Sequence, residues 1–121
     1  MKIEPDETFE MDAEVGTSKT NLTINEEANS HIVPSDKNQR KVFGVFLNNN
    51  ANAEQGITFY VEKDGTTKRT LPEIMLGAYD SIDVNRPKDA PFLTIRAGRN
   101  LKAQVTTGTG NIGVVLQAYD I

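Results

Sequence analysis

Only a few residue groupings in this sequence are of the types and spacings that do chemistry. Gly108-Thr109-Gly110-Asn111-Ile112-Gly113 matches G-x-G-x-x-G, the pattern that lets a pyrophosphate approach the N-terminal amides of a helix that follows a strand. The next residues, Val114 to Tyr119, read as a β run. The glycines are therefore expected in a hairpin turn, not around a dinucleotide. His31 lies near Ser30 and Asp36, the residue types of a hydrolytic triad. Such a triad needs a strained turn or oxyanion donors beside the serine, and none is visible there. A surface or interface role is expected for His31. Glu62, Glu73, Asp80 and Asp83 could form the paired carboxylates of a glycosidase, which need a cleft and one raised pKa. Solvated strand faces are the simpler reading of these acids.

Composition removes further classes. The chain has 121 residues, no Cys, no Trp and one His. No disulfide, thiolate nucleophile, iron–sulfur cluster or multi-histidine metal site can form from that set. The carboxylates lack EF-hand spacing, so no metal and no cofactor are expected. Arg86, Lys88, Arg96, Arg99 and Lys102 make a local excess of base against Asp89, but 13 basic residues face 17 acidic ones, a formal net charge of −4. Nucleic-acid binding asks for the opposite balance. The basic group is read instead as a candidate inter-subunit edge. Asn21-Leu22-Thr23 fits the glycosylation sequon, which we read as coincidence because Met1 to Glu7 has charges where a signal peptide needs an apolar core. No window approaches a membrane span, and a soluble chain without membrane contact is expected.

The elements that would position these residues are short strands. Residues 1–16 hold six acids (Glu4, Asp6, Glu7, Glu10, Asp12 and Glu14) against Lys2, a net of −5, while the chain from Lys41 onward has nine basic and eight acidic residues. This asymmetry suggests an acidic, largely extended arm over residues 1–40 and a β-sandwich domain over residues 41–121. Within the arm, Glu4, Asp6, Glu7, Phe9, Glu10, Met11, Asp12 and Glu14 are the candidate partner-binding residues. Val42 to Leu47 is nearly continuous in apolar character, as expected of a central strand covered on both faces. Ile57, Phe59 and Val61 alternate with polar residues up to Asp64-Gly65, a two-residue hairpin signal. Tyr79 to Val84 reads as a further strand. Phe92 to Ala97, Leu101 to Thr107 and Ile112 to Tyr119 complete seven or eight strands, enough for two packed sheets. The predicted fold is all-β, a sandwich of jelly-roll type.

The C-terminal half, from Leu76-Gly77-Ala78-Tyr79-Asp80-Ser81-Ile82-Asp83-Val84 through Phe92-Leu93-Thr94-Ile95-Arg96-Ala97-Gly98 and Leu101-Lys102-Ala103-Gln104-Val105 to the run Ile112 to Ile121, resembles small β-sandwich structural proteins of tailed-phage virions. The nearest resemblance is to head decoration, or cement, proteins. The resemblance implies a non-enzymatic subunit on the capsid exterior, made in the host cytoplasm, that binds the major capsid protein as a homotrimer and uses no small-molecule substrate. It carries over no functional residue. The alternative is a carbohydrate- or host-surface-binding module of a tail fibre or baseplate, with Tyr60, Tyr79 and loop carboxylates as contacts.

Overall fold

A computed structural model describes residues 8–24 and 31–121 of the chain. Among the described residues there is no helix, hence none long and apolar enough to cross a membrane. The strands are β1 (Phe9–Val15), β2 (Thr20–Asn21), β3 (Thr23–Ile24), β4 (Gln39–Asn49), β5 (Gln55–Lys63), β6 (Thr66–Arg69), β7 (Ile74–Leu76), β8 (Ser81–Asn85), β9 (Leu93–Arg96), β10 (Asn100–Thr107) and β11 (Ile112–Asp120). They form two antiparallel sheets. Sheet A runs β3-β1-β11-β4-β8, with β9 also on β4; sheet B runs β2-β10-β5-β6, with β7 also on β5. The sheets pack face to face around one apolar core that includes Met11, Val15, Leu47, Ile57, Leu101, Ile112 and Leu116.

The separate acidic arm is the first expectation to be corrected. Phe9, Met11 and Val15 are buried and Glu10, Asp12 and Glu14 alternate with them, which is the pattern of a strand with one packed and one solvated face. β1 pairs β11 over seven residues, from Phe9↔Ala118 to Val15↔Ile112, and carries β3 on its other side. Acids on the outer face leave the inner face free to pack, so residues 9–24 belong to the sandwich. The expected boundary at position 40 falls inside β4. Of the candidate arm residues, Phe9 and Met11 are core, while Glu4, Asp6 and Glu7 lie outside the described residues.

β4 is central, but it is not covered on both faces. Its register with β11 slips between Gln117 and Ala118, which pair with Gly44 and Val42 and leave Phe43 as an extra residue. Such a bulge re-aims side chains. Arg40 and Val42 before it, and Leu47 and Asn49 after it, all bury. Phe43 instead meets Tyr119 with ring centroids 6.0 Å apart, and Phe46 stays 38% exposed on the outer face.

β5 and β6 form the hairpin the sequence announces: Lys63 pairs Thr66, with Asp64 and Gly65 both at positive φ, 52° and 79°. The connections at Gly98–Arg99 and Gly108–Asn111 are not hairpins. Each carries the chain from one sheet to the other, because β9 and β11 lie in sheet A and β10 in sheet B. Tyr79 sits in the turn before β8, with φ 58°, and not in the strand.

Candidate functional site

The sequence motifs resolve into structural roles. The glycine-rich turn wraps the amide of Gln55, whose Oε1 accepts from the Gly110 N–H at 2.7 Å while its Nε2 donates to Asn111 O at 3.1 Å and to Asn49 Oδ1 at 2.8 Å. Gly108 has φ 94°, and a Cβ there would lie 2.9 Å from Gln55 Cγ. Both requirements explain the glycine without any phosphate. His31 is half-buried and its carbonyl accepts from Arg40 at 3.4 Å. Ser30 is outside the described residues, and Asp36 is exposed. Asn21 of the sequon accepts from Asn100 Nδ2 at 2.6 Å.

The four carboxylates do not converge. Glu62 pairs with Lys102 at 2.8 Å on the outer face of sheet B. Glu73 accepts from the hydroxyls of Thr106 and Thr107. Those two donors, with a smaller contribution from Arg69, hold its carboxyl below the ordinary 4.5 against a small opposing effect of burial. Asp80 lies in the turn before β8, and Asp83 on the outer face of β8. Tyr60 is engaged too: its hydroxyl donates to Gln104 at 3.3 Å and Lys19 sits 4.6 Å from its ring.

The five residues of the expected basic edge divide among three places. Lys102 is on the outer face of sheet B. Arg86 and Lys88 cap the rings of Phe92 (4.9 Å), Phe43 (5.7 Å) and Tyr119 (5.8 Å). Arg96 and Arg99 instead join two residues the sequence did not single out, Lys63 and Lys68. These four cations rim a recess of about 400 Å³ between β6 of sheet B and β9 of sheet A, lined deeper by Val61 and Ile95. No carboxylate lines it, and none of the four has an ion pair among the described residues. Its only local signal was the placement of Lys63 and Lys68 on either side of the Asp64-Gly65 turn. That Arg96 and Arg99 face them follows from sheet stacking, which no short-range pattern encodes.

Beside this recess the sandwich is open. A cavity of about 180 Å³, walled only by apolar side chains, runs from Leu47, Phe59 and Leu101 out to Leu71, Ile74, Ile82 and Val84. Val84, at its mouth, is 43% exposed. β8 flanks that mouth. Asn49 N–H bonds Asp80 O and Arg86 N–H bonds Phe43 O, so even-numbered residues of this stretch turn their backbone groups to β4. Those of Ser81, Asp83 and Asn85 turn the other way, along an edge that carries no further strand among the described residues.

A second surface lies on the outer face of sheet A. Cross-strand pairing lines up three rows: Glu10–Gln117–Gly44–Asn85, Asp12–Val115–Phe46–Asp83 and Glu14–Gly113–Asn48–Ser81. Phe46 stands at the centre, and the rows hold four carboxylates and no cation. Here the acids of β1 gain a definite position that the arm reading did not give them. No protein-family model matches the chain, and no curated protein matches it.

Proposed function

We propose that the chain is a capsid decoration subunit of jelly-roll type, a structural protein that binds the major capsid protein on the head exterior and staples neighbouring capsid subunits as a homotrimer. The strand order supports the jelly-roll reading. If β2–β3, β6–β7 and β8–β9 each count as one interrupted strand, eight strands remain. Sheet A is then β2/β3-β1-β11-β4-β8/β9 and sheet B β2/β3-β10-β5-β6/β7, the arrangement of two interlocked Greek keys found in viral capsid domains.

The observation that carries the functional reading is the open side of the sandwich, where an unfilled apolar cleft lies beneath the unpaired edge of β8. Strand addition needs both parts: free backbone groups supply affinity, and pockets for alternate side chains supply specificity. An extended capsid segment with apolar residues at every second position would bond Ser81, Asp83 and Asn85 and drop its inward side chains over Ile82 and Val84. Such a function asks for no cofactor, nucleic acid or small-molecule substrate.

Co-sedimentation of the purified chain with capsid shells tests this. Val84→Asp places a charge at the cleft mouth, and because Val84 is already partly exposed the variant should keep its thermal unfolding midpoint while losing shell binding by at least about tenfold. Undiminished binding by a folded Val84→Asp protein would overturn the reading. The glycan-binding alternative rests on Tyr79, 67% exposed in its turn. Retention on a glycan array that disappears with Tyr79→Ala would favour it.

A further inference from the structure

The three rows on the outer face of sheet A and the recess between the sheets carry charge of opposite sign on one molecule. The face has Glu10, Glu14 and Asp83, and no cation stands in their rows. The recess has Lys63, Lys68, Arg96 and Arg99 without a carboxylate in its lining. Each also has an apolar centre. Phe46 stands on the face between shallow depressions to either side, and Val61 and Ile95 lie within the recess.

Neither surface suits a two-fold contact with itself. An isologous interface brings the same patch of both copies together, which here would set carboxylates against carboxylates, or cations against cations, and like charges across an interface cost binding energy. The complementary arrangement is face to recess.

We propose that the basic recess of one copy receives the acidic outer face of the next, with Phe46 over Val61 and Ile95 and the carboxylates around the cationic rim. A contact of this kind is head-to-tail, so it closes into a ring if the rotation permits and otherwise extends as a filament. The inference rests on the decoration reading above for closure at three copies, and it leaves the β8 edge and the apolar cleft for the capsid partner. It also gives cations that have no ion pair among the described residues a counterpart within the same sequence.

Sedimentation of the full chain tests the contact. In about 0.1 M salt the wild type should sediment as a closed oligomer. In about 1 M salt the screening length falls from about 10 Å to about 3 Å, and association should weaken by about tenfold or more. Reversing the recess (Lys68→Glu with Arg96→Glu) or the face (Glu10→Lys with Glu14→Lys) should each give monomers, and a chain carrying all four substitutions should associate again. All four positions are exposed, and thermal unfolding checks each variant. Should a reversal unfold the chain, the neutral pair Lys68→Gln with Arg96→Gln must show the same tenfold weakening. A wild type that is monomeric in low salt, or a folded fourfold variant that fails to recover, overturns the contact. A monomer that still coats capsid shells overturns the contact alone; an oligomer that ignores shells overturns the decoration reading alone.

Discussion

Arg40 is charged and fully buried, a combination that is tolerated only where the charge is paired and its donors are filled. Its Nε and Nη2 donate to the two oxygens of Asp120 at 2.7 and 3.0 Å, its Nη1 reaches Met11 Sδ at 3.7 Å and His31 O at 3.4 Å, and its guanidinium lies 4.7 Å from the Phe9 ring. Removing one partner strands the other. Asp120→Ala should cost roughly 3–5 kcal/mol in denaturant unfolding, while Arg40→Met combined with Asp120→Leu should recover most of it. A double variant as unstable as Asp120→Ala would contradict this account. Glu73 is only partly buried. Its folded-state pKa is depressed by Thr106 and Thr107, so its tether to β10 is intact above the ordinary 4.5 and is lost as pH falls through the depressed value. Wild type should therefore be more stable than Glu73→Gln near neutrality, and the gap in melting temperature should close as pH falls below the ordinary 4.5; parallel curves would count against it. Neither residue advertised its role. Arg40 and Asp120 are eighty positions apart, and Glu73 looked like one acid among several.

At the scale of elements, legibility followed the range of the interaction. The Asp64-Gly65 hairpin was plain because a type I′ turn is decided by the two residues that occupy it. In β10, Leu101, Ala103 and Val105 bury as their alternation predicts. β1 carries the same alternation, Phe9, Met11, Ala13 and Val15, but its acids dominate a reading by charge. The consequence is testable. Deleting residues 1–16 removes a strand bonded to β11 and β3 together with three core side chains, so the product should lose its cooperative unfolding transition in circular dichroism. A folded deletion product that had lost only capsid binding would restore the arm. The recess was illegible for a different reason: Lys63 and Lys68 come from one sheet, Arg96 and Arg99 from the other sheet and the turn that leaves it, and only the packing of the two brings them together.

For the whole molecule, the sign of the net charge matters less than its layout. A net of −5 over residues 1–16 first reads as the property of a tail, yet three of those acids sit on a sheet face opposite in sign to a recess elsewhere on the same body. Complementary fields of this kind steer encounter and fix orientation more than they add affinity, which is what the proposed contact between copies would ask of them. The Asn49–Gln55 amides serve the same rigidity. Asn49 donates to Ala53 O, Leu76 O and Gly77 O and accepts from Ala51 N–H and Gln55, so one buried side chain ties the β4–β5 loop to the end of β7, and through Gln55 to the glycine turn.

The pairing of β1 with β11 sets a condition on synthesis. β11 fills the slot between β1 and β4, and among the described residues β1 meets no other long strand in sheet A. On the ribosome, Phe9, Met11 and Val15 must wait for about a hundred further residues before their neighbour emerges. During that interval the acids that alternate with them are charged gatekeepers on an otherwise sticky strand, so the carboxylates to which the proposed contact assigns a partner would also keep the nascent chain from finding the wrong one.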